Sequence, residues 1–208
     1  MATGSLSNFT VAPAAGQVGG TLLMPKLKYR FRVTFINFGV SATTTELTKQ
    51  VVDIKRPSVQ FNPITLDVYN SKVYLQGKPE WQDTTINLRD DATGAVSTLV
   101  GQQIQKQFDF LNQASSPTGV DYKFSLLYEM LDGGNGSTTA NTLEAWELDG
   151  CFITTADYGE MNYGTNDDVR IALTIKFDNA IQTVGGAVGS AQYSTASTNT
   201  TGSGVNSG

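Results

Sequence analysis

The sequence predicts a mainly β fold: an antiparallel β-sandwich or barrel-like pair of sheets, with long hairpins and one flanking α-helix. Three observations carry this. Apolar and polar residues alternate in about seven or eight short runs, the period of a strand with one dry and one wet face. Short connections rich in Gly, Asn, Asp and Pro join the runs, which favours antiparallel neighbours. Only one stretch repeats its apolar residues at spacings of three and four.

Taken in order, residues 1–20 are small and polar and read as a flexible N-terminal arm, ahead of a β domain over residues 21–182. The first strand is expected at Lys28–Phe38, with Tyr29, Phe31, Val33 and Phe35 on one face and Lys28, Arg30, Arg32 and Thr34 on the other. A second strand is expected at Leu47–Lys55. Val59–Leu66 contains Pro63, so it fits only an edge strand or an extended linker. The stretch Asp67 to Asp91 then organises the chain. It reads as two strand-like runs about a Gly77-Lys78-Pro79 turn, the second with Thr84, Ile86 and Leu88 on its dry face. The acids Asp90 and Asp91 open a helix from Val96 to Asn112, whose stripe is Val96, Val100, Ile104, Phe108 and Leu111. Further strands follow at Tyr122–Leu131, at Leu143–Thr155 with Gly150 as a bulge, and at Val169–Asp178, the last two joined by an acidic, tyrosine-containing loop over Asp157–Asp168. Residues 183–208 are a Gly/Ser/Thr-rich tail without periodicity.

Composition excludes several chemistries. The 208 residues contain no histidine and one cysteine, Cys151, so Ser-His-Asp and Cys-His catalysis and an intrachain disulfide are ruled out. Cys151 reads as a small buried hydrophobe. A net charge of −5 provides no general basic surface for gripping phosphates. No apolar run reaches bilayer length and the N-terminus lacks a signal-peptide pattern, so a soluble chain made in a reducing cytoplasm is expected, with no membrane partner. Glu144 and Glu147 flank Trp146, which with Trp81 allows the idea of a glycosidase or a carbohydrate-binding sandwich; solvated loop acids are the plainer reading. Asp132 to Ser137 lacks the ligand spacing of a calcium loop and the lysine of a phosphate cradle. No catalytic, cofactor or metal residue is expected.

Several stretches together resemble the tail tube protein of contractile-tailed bacteriophages: Tyr69 to Asp91, the helix with Phe108, Ala145 to Ile153, the loop Asp157 to Gly164, and the closing Ile171 to Ala180. The resemblance spans roughly Tyr29 to Ala180. It implies a structural, non-enzymatic virion protein assembled in the bacterial host cytoplasm. Six subunits would form a ring and rings would stack into a tube whose lumen conducts double-stranded DNA. The implied partners are other copies of the chain, a tail sheath outside, baseplate and tail terminator proteins at the ends, and DNA with a tape measure protein in the lumen. The hemolysin-coregulated protein of type VI secretion and pyocin-like or baseplate tubes are the near alternatives.

On that reading, the hairpin residues Tyr69, Asn70, Ser71, Lys72, Val73, Tyr74, Ile86 and Leu88 are expected to make contacts between subunits, since open strand edges need neighbours to cover them. The polar face of Asp83, Thr85, Asn87 and Arg89 is the candidate lumen wall. The face bearing Lys28, Arg30 and Arg32 would hold DNA too strongly and belongs at subunit contacts or outside. Tyr193 is the candidate anchor of the C-terminal tail.

Overall fold

The structure, a computed structural model, describes residues 26–40, 44–133, 140–164, 166–186 and 188–189. The N-terminal arm and Tyr193 lie outside the described residues. The elements are β1 (Phe31–Ile36), α1 (Thr45–Gln50), β2 (Val51–Ile54), β3 (Ser58–Val68), β4 (Ser71–Gln82), β5 (Thr84–Arg89), α2 (Ala95–Gln107), β6 (Phe108–Asp109), β7 (Ala114–Ser115), α3 (Gly119–Tyr122), β8 (Phe124–Leu131), β9 (Thr142–Asp157), β10 (Arg170–Lys176) and β11 (Asn179–Val184). The fold is mainly β and antiparallel, with α2 the one long helix among the described residues.

Seven strands form one sheet in the order β1-β8-β9-β10-β5-β2, with β11 also on β9. Strand β9 holds the sheet together because it is long enough to serve two partners along one edge. The pairing of Lys176 with Phe152 passes on to Asn179 with Asp149, so β10 and β11 follow one edge of β9 in succession. At that break sits Gly150, with φ +67, where an added Cβ would fall 2.2 Å from the Asp178 carboxylate. Only glycine meets both demands, a left-handed backbone and a close neighbour.

The alternation seen in sequence becomes the core. Ile86 and Leu88 of β5, Ile171, Leu173 and Ile175 of β10, and Leu126 of β8 are all buried. Phe38 joins Phe35 and Phe124 edge-on, with ring centroids 5.2 and 4.9 Å apart, geometry that aromatic quadrupoles favour. Helix α2 packs Val96, Leu99 and Val100 onto this core. The Asp91 carboxylate caps its first turn, accepting from the backbone N–H of Ala95 (3.0 Å) and Val96 (3.4 Å). Two glutamines bolt the helix down. Gln103 accepts from Gly39 N–H and donates to the Tyr122 carbonyl, and Gln107 exchanges two bonds with the backbone of Ile153.

Four expectations change. Leu47 belongs to a short helix, α1, and the second strand starts only at Val51. Helix α2 ends at Gln107; Phe108 and Asp109 turn back to pair with Ala114 and Ser115, leaving Leu111 exposed rather than on the core stripe. The Asp109 carboxylate drives that turn by accepting from the N–H groups of Leu111 and Asn112. Tyr122 falls in α3, so β8 starts at Phe124, and a further strand, β11, extends to Val184 past the expected end of the pattern.

The fourth change concerns the central hairpin. It consists of β3 and β4, with its turn at Tyr69-Asn70 instead of Gly77-Lys78-Pro79. Tyr69 takes the left-handed conformation, φ +49. Gly77 lies within β4 at a bulge, where a Cβ would sit 2.0 Å from the carbonyl oxygen of Asn62. Its lack of a side chain thus admits the partner strand instead of forming the turn. Pro63 and Pro79 are tolerated because each strand of this two-stranded sheet keeps one edge unpaired.

Candidate assembly surface

The β3–β4 hairpin extends over 11 and 12 residues, roughly 35 Å at the rise of an extended strand. Every residue of β3 is exposed. Ile64 pairs with Leu75 and Leu66 with Val73, so one face of the outer half carries these four and Val68, while Thr65, Asp67, Lys72 and Tyr74 occupy the other. The base is different. There Val59 pairs with Trp81 and Phe61 with Pro79, and Trp81 packs on Phe177 at 5.7 Å between ring centroids. Apolar positions are odd-numbered in the base of β3 and even-numbered in its outer half. The apolar face therefore changes sides at the Gly77 bulge, with Trp81 set on the core at the root and Ile64, Leu66 and Val73 exposed beyond it. Apolar surface this extended on a strand pair open at both edges is a surface for association.

Of the residues expected to make subunit contacts, Tyr69, Asn70, Ser71, Lys72, Val73 and Tyr74 sit together at the tip and the start of β4, and Tyr69 is 99% exposed. Ile86 and Leu88 do not belong with them. They lie on β5 with no exposed surface, inside the core.

Asp83, Thr85, Asn87 and Arg89 share the outer side of the sheet with neighbours from β10 and β2. The polar groups there are engaged with one another. Asn87 donates to Asp53 at 2.8 Å, Lys176 lies 3.5 Å from Asp83, and Asp168 accepts from Arg89 at 3.0 Å and Arg170 at 2.9 Å. Hydrogen bonds from Arg170 and then Arg89 hold the Asp168 carboxyl well below the usual range, so it stays ionised. Arg32 of β1 and Arg30 just before it are engaged as well. Arg32 bonds Glu129 at 2.8 Å, and Arg30 donates to the Asp132 carbonyl and stands 5.5 Å over the Tyr29 ring.

The acids and indoles considered for sugar chemistry serve the fold. Glu144 is buried, ion-paired to Lys26 and Arg56, and accepts from Trp146 Nε1 at 2.7 Å. Burial alone would raise its pKa; the bonds from Lys26, Trp146 and Arg56 hold it below the ordinary value. This carboxylate ties the β3 root at Arg56 to β9, a link that sequence spacing does not reveal. Trp81 and Trp146 both pack against the core. Cys151 is fully buried, and burial pushes its thiol up to about 12, so it is an inert core atom.

By sequence, no family model and no curated protein matches the chain. By structure it is similar to chains of contractile injection particles. A chain from the six-fold symmetrised baseplate of the anti-feeding prophage superposes with a TM-score of 0.58 at 11% identity, over 79% of this chain and 99% of that one. A chain from the tube-terminating cap of the same particle gives 0.56 at 13%, over 84% and 99%. A chain from the extended sheath–tube complex of the PVC extracellular contractile injection system gives 0.54 at 14%, over 78% and 94%. The fold is therefore the one shared with proteins of tube, cap and baseplate assemblies.

Proposed function

We propose that this chain is a structural, non-enzymatic subunit of a tail tube, forming rings of six that stack into a tube whose lumen conducts double-stranded DNA. The observation that carries this reading is the projecting β3–β4 hairpin: an apolar face turned away from its own subunit, on a fold shared with tube and cap chains. A Leu, Ile or Val withdrawn from water contributes about 1.5–3 kcal/mol, so a neighbour that covers Ile64, Leu66 and Val73 gains a firm contact. The tip from Tyr69 to Tyr74 makes that contact, and its two distinct faces suit a head-to-tail assembly that closes into rings and extends by stacking. The outer side of β5 lines the lumen. Its paired charges leave few free cations to condense on phosphate, so passing DNA is not held. The partners are further copies of the chain, a sheath outside, baseplate and terminator proteins at the ends, and DNA with a tape measure protein within. The assembly belongs to a virion made in the host cytoplasm.

Electron microscopy of the purified full chain at high concentration tests this. Rings or tubes are expected, with a map placing Thr85 and Asn87 on the channel. A chain that stays monomeric at all concentrations overturns the reading, and tubes with β5 on the outside overturn the lumen assignment.

A further inference from the structure

The strands at the two ends of the sheet order, β1 and β2, border a common cleft of about 900 Å³. Its apolar lining is Phe31, Val33, Ile54, Tyr128 and Met130, and its charged lining is Lys26, Lys28, Arg32, Lys49 and Arg56 against the one carboxylate of Asp53. The outer edges of β1 and β2 pair with no strand among the described residues, so the cleft is the place where the sheet fails to close. Arg32 and Arg56 are used by Glu129 and Glu144, whereas Lys28 has no ion-pair partner among the described residues.

A feature of the opposite character sits elsewhere on the molecule. The loop between β9 and β10 presents Tyr158, Met161 and Tyr163 to solvent, with Met161 84% exposed and Tyr163 fully so. Glu160 stands among them without an ion pair among the described residues, as does Asp167 behind them. This protruding segment is apolar at its tip and negative around it; the cleft is apolar in one part of its lining and mainly positive in the other. The loop leaves from the middle of the strand order and the cleft lies between its two ends, so the two features are distinct surfaces built from different residues. Complementary patches that do not overlap on one chain are the requirement for a repeating head-to-tail contact.

We infer that the β1–β2 cleft receives residues 158–164 of a second copy of this chain, with Met161 and Tyr163 on the apolar lining and Glu160 at Lys28. The inference rests on the tube reading and names the lateral contact within it, separate from the hairpin. The contact covers both open edges of one subunit's sheet and removes exposed aromatic surface from the next.

Cross-linking between two full-length variants tests it. Chains carrying Lys28→Cys and chains of different size carrying Tyr163→Cys are mixed, assembled, and treated with a short bismaleimide. Cys151 stays silent because its thiol is buried and protonated. A mixed dimer is expected, and neither variant alone gives one. Charge exchange supplies the second readout. Lys28→Glu or Glu160→Lys lowers the assembled fraction about tenfold near the midpoint of assembly, and the two together recover most of it. Assembled tubes with no mixed dimer, or a double variant no better than the worse single one, overturn this contact and leave the tube reading standing. A wild-type chain that stays monomeric overturns both.

Discussion

Strands β4 and β5 are separated by the single residue Asp83 and alternate alike, yet they end in opposite surroundings. In β5 the apolar positions Ile86 and Leu88 have no exposed surface; in β4 Val73 and Leu75 remain nearly half exposed. The difference is what stands opposite the dry face. For β5 it is the apolar core of the same chain; for the outer half of β4 it is nothing among the described residues. A period of two therefore establishes that a strand has a face to dry, and leaves open whether its own chain or another dries it.

Paired substitutions break that comparison most sharply. Ile86→Ala opens a cavity in the core and is expected to cost about 2–5 kcal/mol. At about 2–4 °C per kcal/mol for a chain of this size, thermal unfolding by circular dichroism shows a large drop. Leu66→Ser on the hairpin should leave the monomer within about 0.5 kcal/mol of the parent while abolishing rings and tubes in micrographs. A loss of monomer stability there equal to that of Ile86→Ala means the hairpin folds back onto its own core.

A smaller effect is expected where the sheet turns. Gly150→Ala meets both a positive φ and the Asp178 carboxylate, and should cost about 1–3 kcal/mol in the same melt. Asp178→Ala beside it relieves only the contact, so the double variant should regain part of the loss.

Glu144→Gln removes the buried charge between Lys26 and Arg56, whose side chains still reach water, for a cost of about 1–3 kcal/mol. The carboxyl's folded pKa lies below its ordinary 4.5. Its contribution is thus complete above about pH 4.5 and disappears as pH falls through the folded value. Denaturant melts between pH 6 and pH 3 should show a shallower acid decline in Glu144→Gln than in the parent; equal slopes exclude Glu144 as its source. The smallest effect belongs to the outer side of β5, where Thr85→Val should stay within about 0.5 kcal/mol.

How much of this was legible follows from where the deciding contacts lie. The dry face of β5 and the Val96, Val100 and Ile104 part of the α2 stripe could be read directly, because local period and core burial agree in them. The hairpin turn could not. Gly77-Lys78-Pro79 has the stronger turn chemistry, but glycine answers equally to a close partner strand, and Asn62 is the partner. Helix α1 escaped because one apolar residue, Leu47, fits either period over so short a stretch. Tip residues Tyr69 to Tyr74 were accessible to sequence reasoning as a surface, whereas Ile86 and Leu88 were drawn in by the misplaced turn. The β1–β2 cleft was invisible because β1 and β2, though successive in the chain, stand at opposite ends of the strand order, and the lining is completed by Tyr128 and Met130 of β8.

The hairpin's self-contained pairing has a consequence for how such a chain can change over time. Among the described residues β3 and β4 pair as strands with each other alone, so no core strand depends on the outer half. Residues can be gained or lost there two per strand, which keeps every side chain on its original face and moves the tip by about 7 Å. The reach of the molecule toward a neighbour is thus adjustable in fixed increments, independently of the body that carries it.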